Sequence, residues 1–567
     1  MKTFLYSIAL IAILPCLLLI TLANGQNYEW AKKIGGANFD YIEDIAVDAL
    51  GNVYVTGQFA GTVYFDPSVN KAKLSSTNGG YDVFIAKYND LGNYMWAKKI
   101  GGTSTDNAYS LALDTFGNVY VTGNFWGTAD FDPSSNVANL TATGDYDIFI
   151  AKYNSSGNYS WAKNMGGTSS DFGTSIAIDV LGNVCLTGYF NETVDFDPSS
   201  NTANLTSAGA TDIFIAKFDT AGNYSWAQSM GGVGSEISYS LTTDAYANIV
   251  VTGFFSSVSD FDPSSNVANL ASAGGTDIFI AKYDIIGNYT WAIQIGGITT
   301  EMGNKIVVDD SGYVFVTGQF EGTSDFDPSS NIANLTSVGS SDIFIAKYNY
   351  LGNYIWAIQS GSTTADVRNS LAIDAMSNII VTGYFSGTSD FDPSLSTASL
   401  TSVGSNDIFM AKYNASGNYL SAKSMGGTGP DYGNSISIYN GNTVYLSGGF
   451  EDVSDFDPSI DTINLTSAGY IDMFFSKYSD IVTNIYSLQS IPSLFKIYPN
   501  PVSEEFTIEI AEQSFIQINT ILGGLVFSEQ LEKGKHTFSL SFLPNGVYTL
   551  SATQKQISQS IKFVVQK

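Results

Sequence analysis

The sequence predicts an all-β protein, a seven-bladed β-propeller followed by a small C-terminal β-sandwich. Phe-Asp-Pro recurs at Phe65, Phe131, Phe196, Phe261, Phe326, Phe391 and Phe456, spaced by 66 residues once and by 65 five times. A near-fixed period of this length marks one supersecondary unit copied head to tail. Each copy holds four short alternating runs separated by Gly/Asn turns, the pattern of a four-stranded antiparallel blade. The copies are also out of phase with the chain. It opens on a lone fourth strand (Asn27 to Gly36), and its last copy stops after a third strand, 472–478. Residues 28–34 are therefore expected to pair with 472–478, closing a ring and removing two sheet edges. A solenoid would leave both edges open.

From the N-terminus, residues 1–25 read as a signal peptide. Lys2 precedes an apolar run from Phe4 to Leu22, and Ala23-Asn24-Gly25 suits cleavage. No later stretch is long and apolar enough to span a bilayer as a helix. Residues 26–480 form the propeller. In the second copy, Tyr109 to Asp114 alternates as a first strand, turns at Gly117-Asn118, and continues as a second strand through Gly123. A long connection carries Asp130-Phe131-Asp132-Pro133. The third strand is Asp147 to Tyr153. After the turn at Asn154–Asn158, the fourth strand holds Trp161 and runs to Gly166-Gly167. Trp30, Trp96, Trp161, Trp226, Trp291 and Trp356 share one slot, with Ser421 in the seventh, and are expected to pack between blades. A lysine recurs in each apolar third strand, for example Lys87 and Lys217, and is expected to meet a carboxylate or reach the rim. Cys185 occupies a core slot and is read as a structural thiol. Residues 481–494 read as a polar linker and 495–567 as the small sandwich.

The recurring Asp-x-x-Gly-Asn-Val-Tyr-Val-Thr-Gly, Asp-Ile-Phe-Ile-Ala-Lys-Tyr and Gly-Asn-Tyr-x-Trp-Ala resemble the bacterial beta-propeller repeat family called SBBP. The resemblance covers about residues 27–480 and implies a propeller in an extracellular setting, with no common activity. The tail opens on Tyr498-Pro499-Asn500-Pro501, carries Gly546-Val547-Tyr548 and ends near Lys562-Phe563-Val564-Val565. It resembles the C-terminal sorting domain of the type IX secretion system of Bacteroidota. Ile521-Leu522-Gly523 lacks the usual Asp before the central Gly. The resemblance implies type IX machinery as a partner, and a secreted or outer-surface location.

Strand direction places the turns after strands one and three on one face. The long connections and Gly-Gly connections lie on the other. That second face carries the acids. The connection supplies Asp-x-Asp pairs: Asp130/Asp132, Asp195/Asp197, Asp260/Asp262, Asp325/Asp327, Asp390/Asp392 and Asp455/Asp457. Clustered carboxylates can hold calcium, and Asp before Pro can equally cap a turn. These twelve are the candidate metal residues. Candidate ligand contacts are the acids after the Gly-Gly run (Asp106, Asp171, Glu236, Glu301, Asp366 and Asp431), together with Trp126 and Arg368, the two residues that break their slots.

A formal charge of −29 argues against nucleic acid or an anionic membrane surface as partner. The only histidine, His536, falls in the tail, so no His-based triad or metal centre can form in the propeller. The expectation is a non-enzymatic binding or adhesion module for a glycan or protein, without a certain cofactor beyond possible calcium. A scaffold without a small ligand is the alternative, and a polysaccharide-degrading enzyme a more distant one.

Overall fold

The computed structural model describes residues 26–68, 72–480, 495–498, 502, 505–510, 513–520, 525–539, 543–554 and 557–565. The expected signal peptide and linker lie outside them. Contacts divide the chain into two units, residues 1–481 and 482–567. The described residues contain strands and no helix.

The first copy shows how the unit is built. Strand β1 is Gln26–Gly36, β2 Asp40–Val47, β3 Val53–Ala60, β4 Thr62–Tyr64, β5 Lys73–Ser75, β6 Tyr81–Tyr88 and β7 Tyr94–Gly102. Strands β2, β3, β6 and β7 form one antiparallel sheet in chain order. The same arrangement recurs from Asp106, Phe172, Glu236, Glu301 and Val367. A further sheet joins Asp431–Tyr439, Thr443–Phe450 and Asp472–Asp480 to β1 from the other end of the chain. The closing register runs from Gln26 opposite Asp480 to Ile34 opposite Met473. We number the sheets one to seven by their innermost strands, beginning with β2. Each innermost strand touches the next, and the seventh touches the first, so the described residues close a ring of seven four-stranded sheets.

The long connection is more ordered than its sequence suggests. Strands β4 and β5 form a hairpin that pairs with the end of β1, Gly35 opposite Tyr64. Gly101–Gly102 likewise meets Asp130–Ala129 in the next copy. Each Gly-Gly run thus carries the outer strand of one sheet onto the connection of the following one. The Phe of every Phe-Asp-Pro is at most 1% exposed. In six copies its carbonyl accepts the hydroxyl of the third-strand Tyr, as from Tyr88 to Phe65 (2.8 Å) and Tyr153 to Phe131 (2.8 Å); the third copy has Phe218 in that place. This explains an aromatic hydroxyl at the end of an apolar strand, since a buried phenol needs a partner.

Two devices join the sheets. At the turn face, the fourth-strand Trp lies on the hairpin glycine of the next sheet. A Cβ on Gly157, Gly222, Gly287 or Gly352 would stand 2.9–3.1 Å from the rings of Trp96, Trp161, Trp226 or Trp291. These glycines also have φ of +74 to +86°, which side chains resist. Trp96 Nε1 and Lys87 Nζ both donate to the Ser155 carbonyl, and Trp161 and Lys152 to that of Thr220. The same lysines meet carboxylates within their own sheet, at 2.8 Å for Lys217–Asp179 and 2.9 Å for Lys282–Asp244. At the centre, one slot of the innermost strands holds Asp44, Ser110, Ser175, Ser240, Lys305, Ser370 and Ser435. Asp44 accepts from Ser110 Oγ (3.0 Å), Leu111 N (2.9 Å) and Ser435 Oγ (2.8 Å), tying sheet one to both neighbours. Cys185 is fully buried, and burial pushes its thiol up to about 12.

In the second unit, Phe495–Tyr498, Glu505–Ile510 and Gly534–Ser539 form one sheet. Leu525–Leu531, Ser514–Thr520, Gly546–Gln554 and Ile557–Val565 form another. Phe506, Ile508, Ile516, Leu550 and Phe563 from the two sheets share one core, so each sheet buries its apolar face on the other.

Candidate functional site

The connection face holds the expected site residues, but not in the expected roles. The first correction concerns the candidate metal residues Asp130, Asp132, Asp195, Asp197, Asp260, Asp262, Asp325, Asp327, Asp390, Asp392, Asp455 and Asp457. Among the described residues, no three acidic, His or Cys side chains stand together as a metal-holding group. The physical reason is that each Asp-x-Asp pair caps its own loop backbone. Asp130 Oδ1 accepts the N–H groups of Asp132 (3.0 Å) and Ala138 (2.9 Å), and Asp132 Oδ1 accepts that of Ser134 (3.0 Å). In the next copy Asp195 Oδ1 accepts from Asp197 (3.1 Å) and Ala203 (2.8 Å). Asp197, expected as a metal ligand, instead accepts the N–H of Ser199 (2.9 Å). Asp457 departs from the metal expectation in the same way. Its Oδ1 accepts the N–H of Ser459 (2.9 Å), while Asp455 accepts from Asp457 (3.0 Å) and Ile463 (2.8 Å). The geometry repeats at Asp260 and Asp262, at Asp325 and Asp327, and at Asp390 and Asp392.

The acids after the Gly-Gly run are a second correction. Read from sequence as ligand contacts, Asp106, Asp171, Glu236, Glu301, Asp366 and Asp431 are buried to 1% exposure or less, as is Asp40. The cause is local. Each carboxylate accepts the backbone N–H four residues earlier, as from Gly102 to Asp106 (2.8 Å) and from Gly427 to Asp431 (2.7 Å). Beside each lies the Asp that opens a third strand. An atom at the Cβ position of Gly101 would sit 2.8 Å from both Asp82 Oδ1 and Asp106 Oδ2, so this glycine fits between two buried carboxylates. Burial, with some repulsion from the partner acid, pushes Asp40 up to about 8 and Asp106, Asp171 and Asp431 up to about 7. Lys33 and Lys99 reach the companion acids Asp472 (3.2 Å) and Asp82 (2.9 Å), and Gln294 reaches Asp277 (2.6 Å). These pairs sit at the sheet junctions, where burial raises their carboxyls above the ordinary range.

Two clefts on the rim also belong to the repeat. One of about 420 Å³ is lined by Leu74, Lys98, Asp130, Asp132 and Pro133, and another of about 400 Å³ by Leu335, Ile358, Asp390, Asp392 and Pro393. They occupy equivalent places between successive sheets.

What breaks the repeat on this face is aromatic. Trp126 lies in the second strand of sheet two at the pair before its register shifts, is 48% exposed, and faces Tyr146 across the ladder at a ring separation of 6.0 Å. Tyr146 reaches Phe172 in sheet three (5.9 Å), and Phe172 stacks on Tyr189 (4.7 Å, 18°). A second run links Tyr470, Phe39, Tyr41 and Tyr81 by separations of 4.6, 6.4 and 6.2 Å. Between the runs sits an amide pair, Asn107 to Asn124 (3.2 Å). Below them, Glu43 and Tyr109 are the extra residues of β-bulges in their innermost strands. Glu43 accepts Gln58 Nε2 (2.9 Å), and burial raises the Tyr109 phenol, with Tyr189, Glu43 and Tyr146 adding to it. Sheets four to six place Ile237, Met302 and Val367 where Tyr41 and Phe172 stand. The side chain of Arg368 lies outside the described residues. Of these aromatic residues the sequence singled out Trp126, and not Tyr41, Phe172, Tyr81, Tyr146 or Tyr189. Comparing the slot just before the third-strand Asp would have found two of these, because the other copies hold Thr211, Thr276, Ser341, Asn406 and Ile471 there.

Two family models match parts of the chain. Residues 29–58 and 96–132 match the beta-propeller repeat family, and residues 496–566 match the secretion system C-terminal sorting domain. The chain carries both modules, and the sorting domain marks it for export. An uncharacterized WD repeat-containing protein of Acanthamoeba polyphaga mimivirus is 26% identical over 579 aligned residues, covering 87% of this chain and 40% of the relative. The regulatory protein FlaEY of Caulobacter vibrioides is 27% identical over 186 residues, covering 31% of this chain and 19% of its own. The chain therefore spans less than half the length of these curated relatives. Among solved structures, PorZ, a surface component of the type IX secretion system of Porphyromonas gingivalis, aligns over 93% of this chain and 81% of its own at 11% identity and a TM-score of 0.18. Sqt1 from Chaetomium thermophilum aligns over 75% and 97% at 10% identity and a TM-score of 0.29.

Proposed function

We propose that this exported protein is a binding module, displayed on or released from the outer cell surface, whose closed ring presents one recognition face and performs no chemistry. The observation that carries this reading is the asymmetry of the connection face. The repeated acids cap loops and fill sheet junctions, while the two four-ring runs lie over sheets seven, one, two and three; sheets four and six contribute single pairs, Tyr239–Phe254 and Tyr384–Tyr432. A recognition surface needs such departures from the repeat, because identical copies present identical surfaces. The buried carboxylates face backbone N–H groups and each other, an arrangement that supports a structural role for them.

The full exported chain, immobilised, tests this against soluble polysaccharides and extracellular proteins. Retention of a polymer without cleavage is the expected result. Turnover of any of them overturns the non-catalytic part, and no retention of any polymer favours a scaffold.

A further inference from the structure

We propose that the aromatic arc of Trp126, Tyr146, Phe172 and Tyr189 binds an uncharged saccharide chain across sheets two and three. The proposal rests on the binding-module reading and names its ligand class.

Chemistry and position both argue for it. The four rings run from one sheet to the next in unbroken contact, at separations of 6.0, 5.9 and 4.7 Å. Trp126, at the head of the run beside Tyr146, keeps 48% of its surface in water. An aromatic face takes up the C–H face of a pyranose, while hydroxyls need donors and acceptors at the ring edges. The arc has both kinds at hand in the phenols of Tyr146 and Tyr189 and in the half-buried Asn107 amide beside them. The slot of Trp126 holds Ala60, Asn191, Ser256, Glu321, Ser386 or Glu451 elsewhere, and that of Tyr146 holds Thr211, Thr276, Ser341, Asn406 or Ile471 in the later copies. The slots of Phe172 and Tyr189 are aromatic again at Tyr41 and Tyr432 and at Phe254 and Tyr384, so what sets sheets two and three apart is the run of four rings together.

Charge chooses the class of ligand. The net charge of −29 disfavours polyanions. The pull on a cation is also weaker than the sequence suggests. The acids beneath the arc, Asp106 and Asp171, are buried and bonded to backbone N–H groups, and Glu43 already accepts from Gln58. An uncharged chain rich in hydroxyls is what remains.

The test is native gel retardation of the full-length protein in gels cast with mixed-linkage β-glucan, xylan, α-mannan or no polymer, with polylysine as a competitor. Retardation by at least one neutral polymer is expected. Trp126→Ala should weaken it about tenfold, and Phe172→Ala should weaken it too. Phe116→Ala, at an 83% exposed ring on the turn face, should leave it unchanged. Equal circular dichroism and unfolding midpoints establish that the variants fold. Retardation that survives Trp126→Ala and Phe172→Ala overturns the assignment, as does retardation abolished by polylysine, which would indicate a cationic peptide site. Absence of retardation in every neutral polymer also overturns it. The binding-module reading would still stand if the immobilised chain retained a protein.

Discussion

The contact between a fourth-strand Trp and the hairpin glycine of the next sheet can be measured by a double-mutant cycle on Trp226 and Gly287. Gly287 has φ of +86°, and a Cβ placed on it would stand 3.0 Å from Trp226 Cε3 and Cζ3. Gly182 is the control. Its φ is +87°, but its Cβ would meet only Thr220 Cγ2 at 3.3 Å. Alanine at either site incurs left-handed strain of about 1–2 kcal/mol, partly offset by about 0.4–1 kcal/mol of lost unfolded-state freedom. Gly182→Ala should therefore cost about 1 kcal/mol. Gly287→Ala adds the displacement of a packed indole, about 1–3 kcal/mol, for a total of about 2–4 kcal/mol. In a Trp226→Ala background that extra term disappears, giving a coupling of about 1–3 kcal/mol. Urea unfolding followed by tryptophan emission is a suitable assay, because all seven tryptophans lie between Trp30 and Trp356 and report on the ring alone. Equal costs for Gly287→Ala and Gly182→Ala, or a Gly287→Ala penalty unchanged without Trp226, would refute the argument.

Other parts of the structure make further predictions. Burial raises Asp40, Asp106, Asp171, Glu236 and Asp431 to about 7–8 and Asp366 to about 6, above their unfolded values. Their contribution is complete below about pH 4 and is lost as pH rises through 6 to 8, so the urea midpoint should fall between pH 5.5 and 8.5; a flat or rising midpoint contradicts this. In Asp179, the bonds from Lys217 and Asn183 outweigh burial and hold the carboxyl below its usual range. Lys217→Met should therefore cost about 1–3 kcal/mol by urea unfolding, more than Lys347→Met, whose ammonium lies 4.4 Å from the Tyr313 ring centroid and is depressed by burial. Because Asp130 serves as a loop acceptor, Asp130→Asn should cost well under the roughly 1–3 kcal/mol expected of Asp130→Ala. Millimolar calcium should leave the melting temperature within about 1 °C, and a rise of several degrees would restore a cation role to the Asp-x-Asp loops.

The period and the alternation made the four long strands of each copy legible, because Asp-Ile-Phe-Ile-Ala-Lys-Tyr buries nearly every residue and sits between turn signals. The three-residue strands such as β4 and β5 were not legible. They are too short to show a period of two, and the Gly35–Gly36 stretch they extend belongs to the preceding sheet. The acids were visible as a pattern but not by role. Asp106 and Asp130 both precede or follow turns, and residue type alone does not separate a buried junction from a loop cap. The arc was half visible. Trp126 stands out as a unique residue, whereas Tyr146 looks like one more aromatic side chain beside an apolar strand until its slot is compared across copies.

Ser421 is the one departure whose cause lies in the closure itself. Trp30 packs on Gly92, Trp96 on Gly157, Trp161 on Gly222, Trp226 on Gly287, Trp291 on Gly352 and Trp356 on Gly417. The seventh slot would need a hairpin glycine between the third and fourth strands of sheet seven. That hairpin does not exist. The third strand ends at Asp480, the fourth begins at Gln26, and the two are held by the ladder and by side-chain pairs such as Lys477–Glu29 (2.9 Å), with no turn between them. With no turn to cover, the slot carries no indole. The same geometry puts the entry and exit of the ring at the turn end of the strands, opposite the end that bears Trp126.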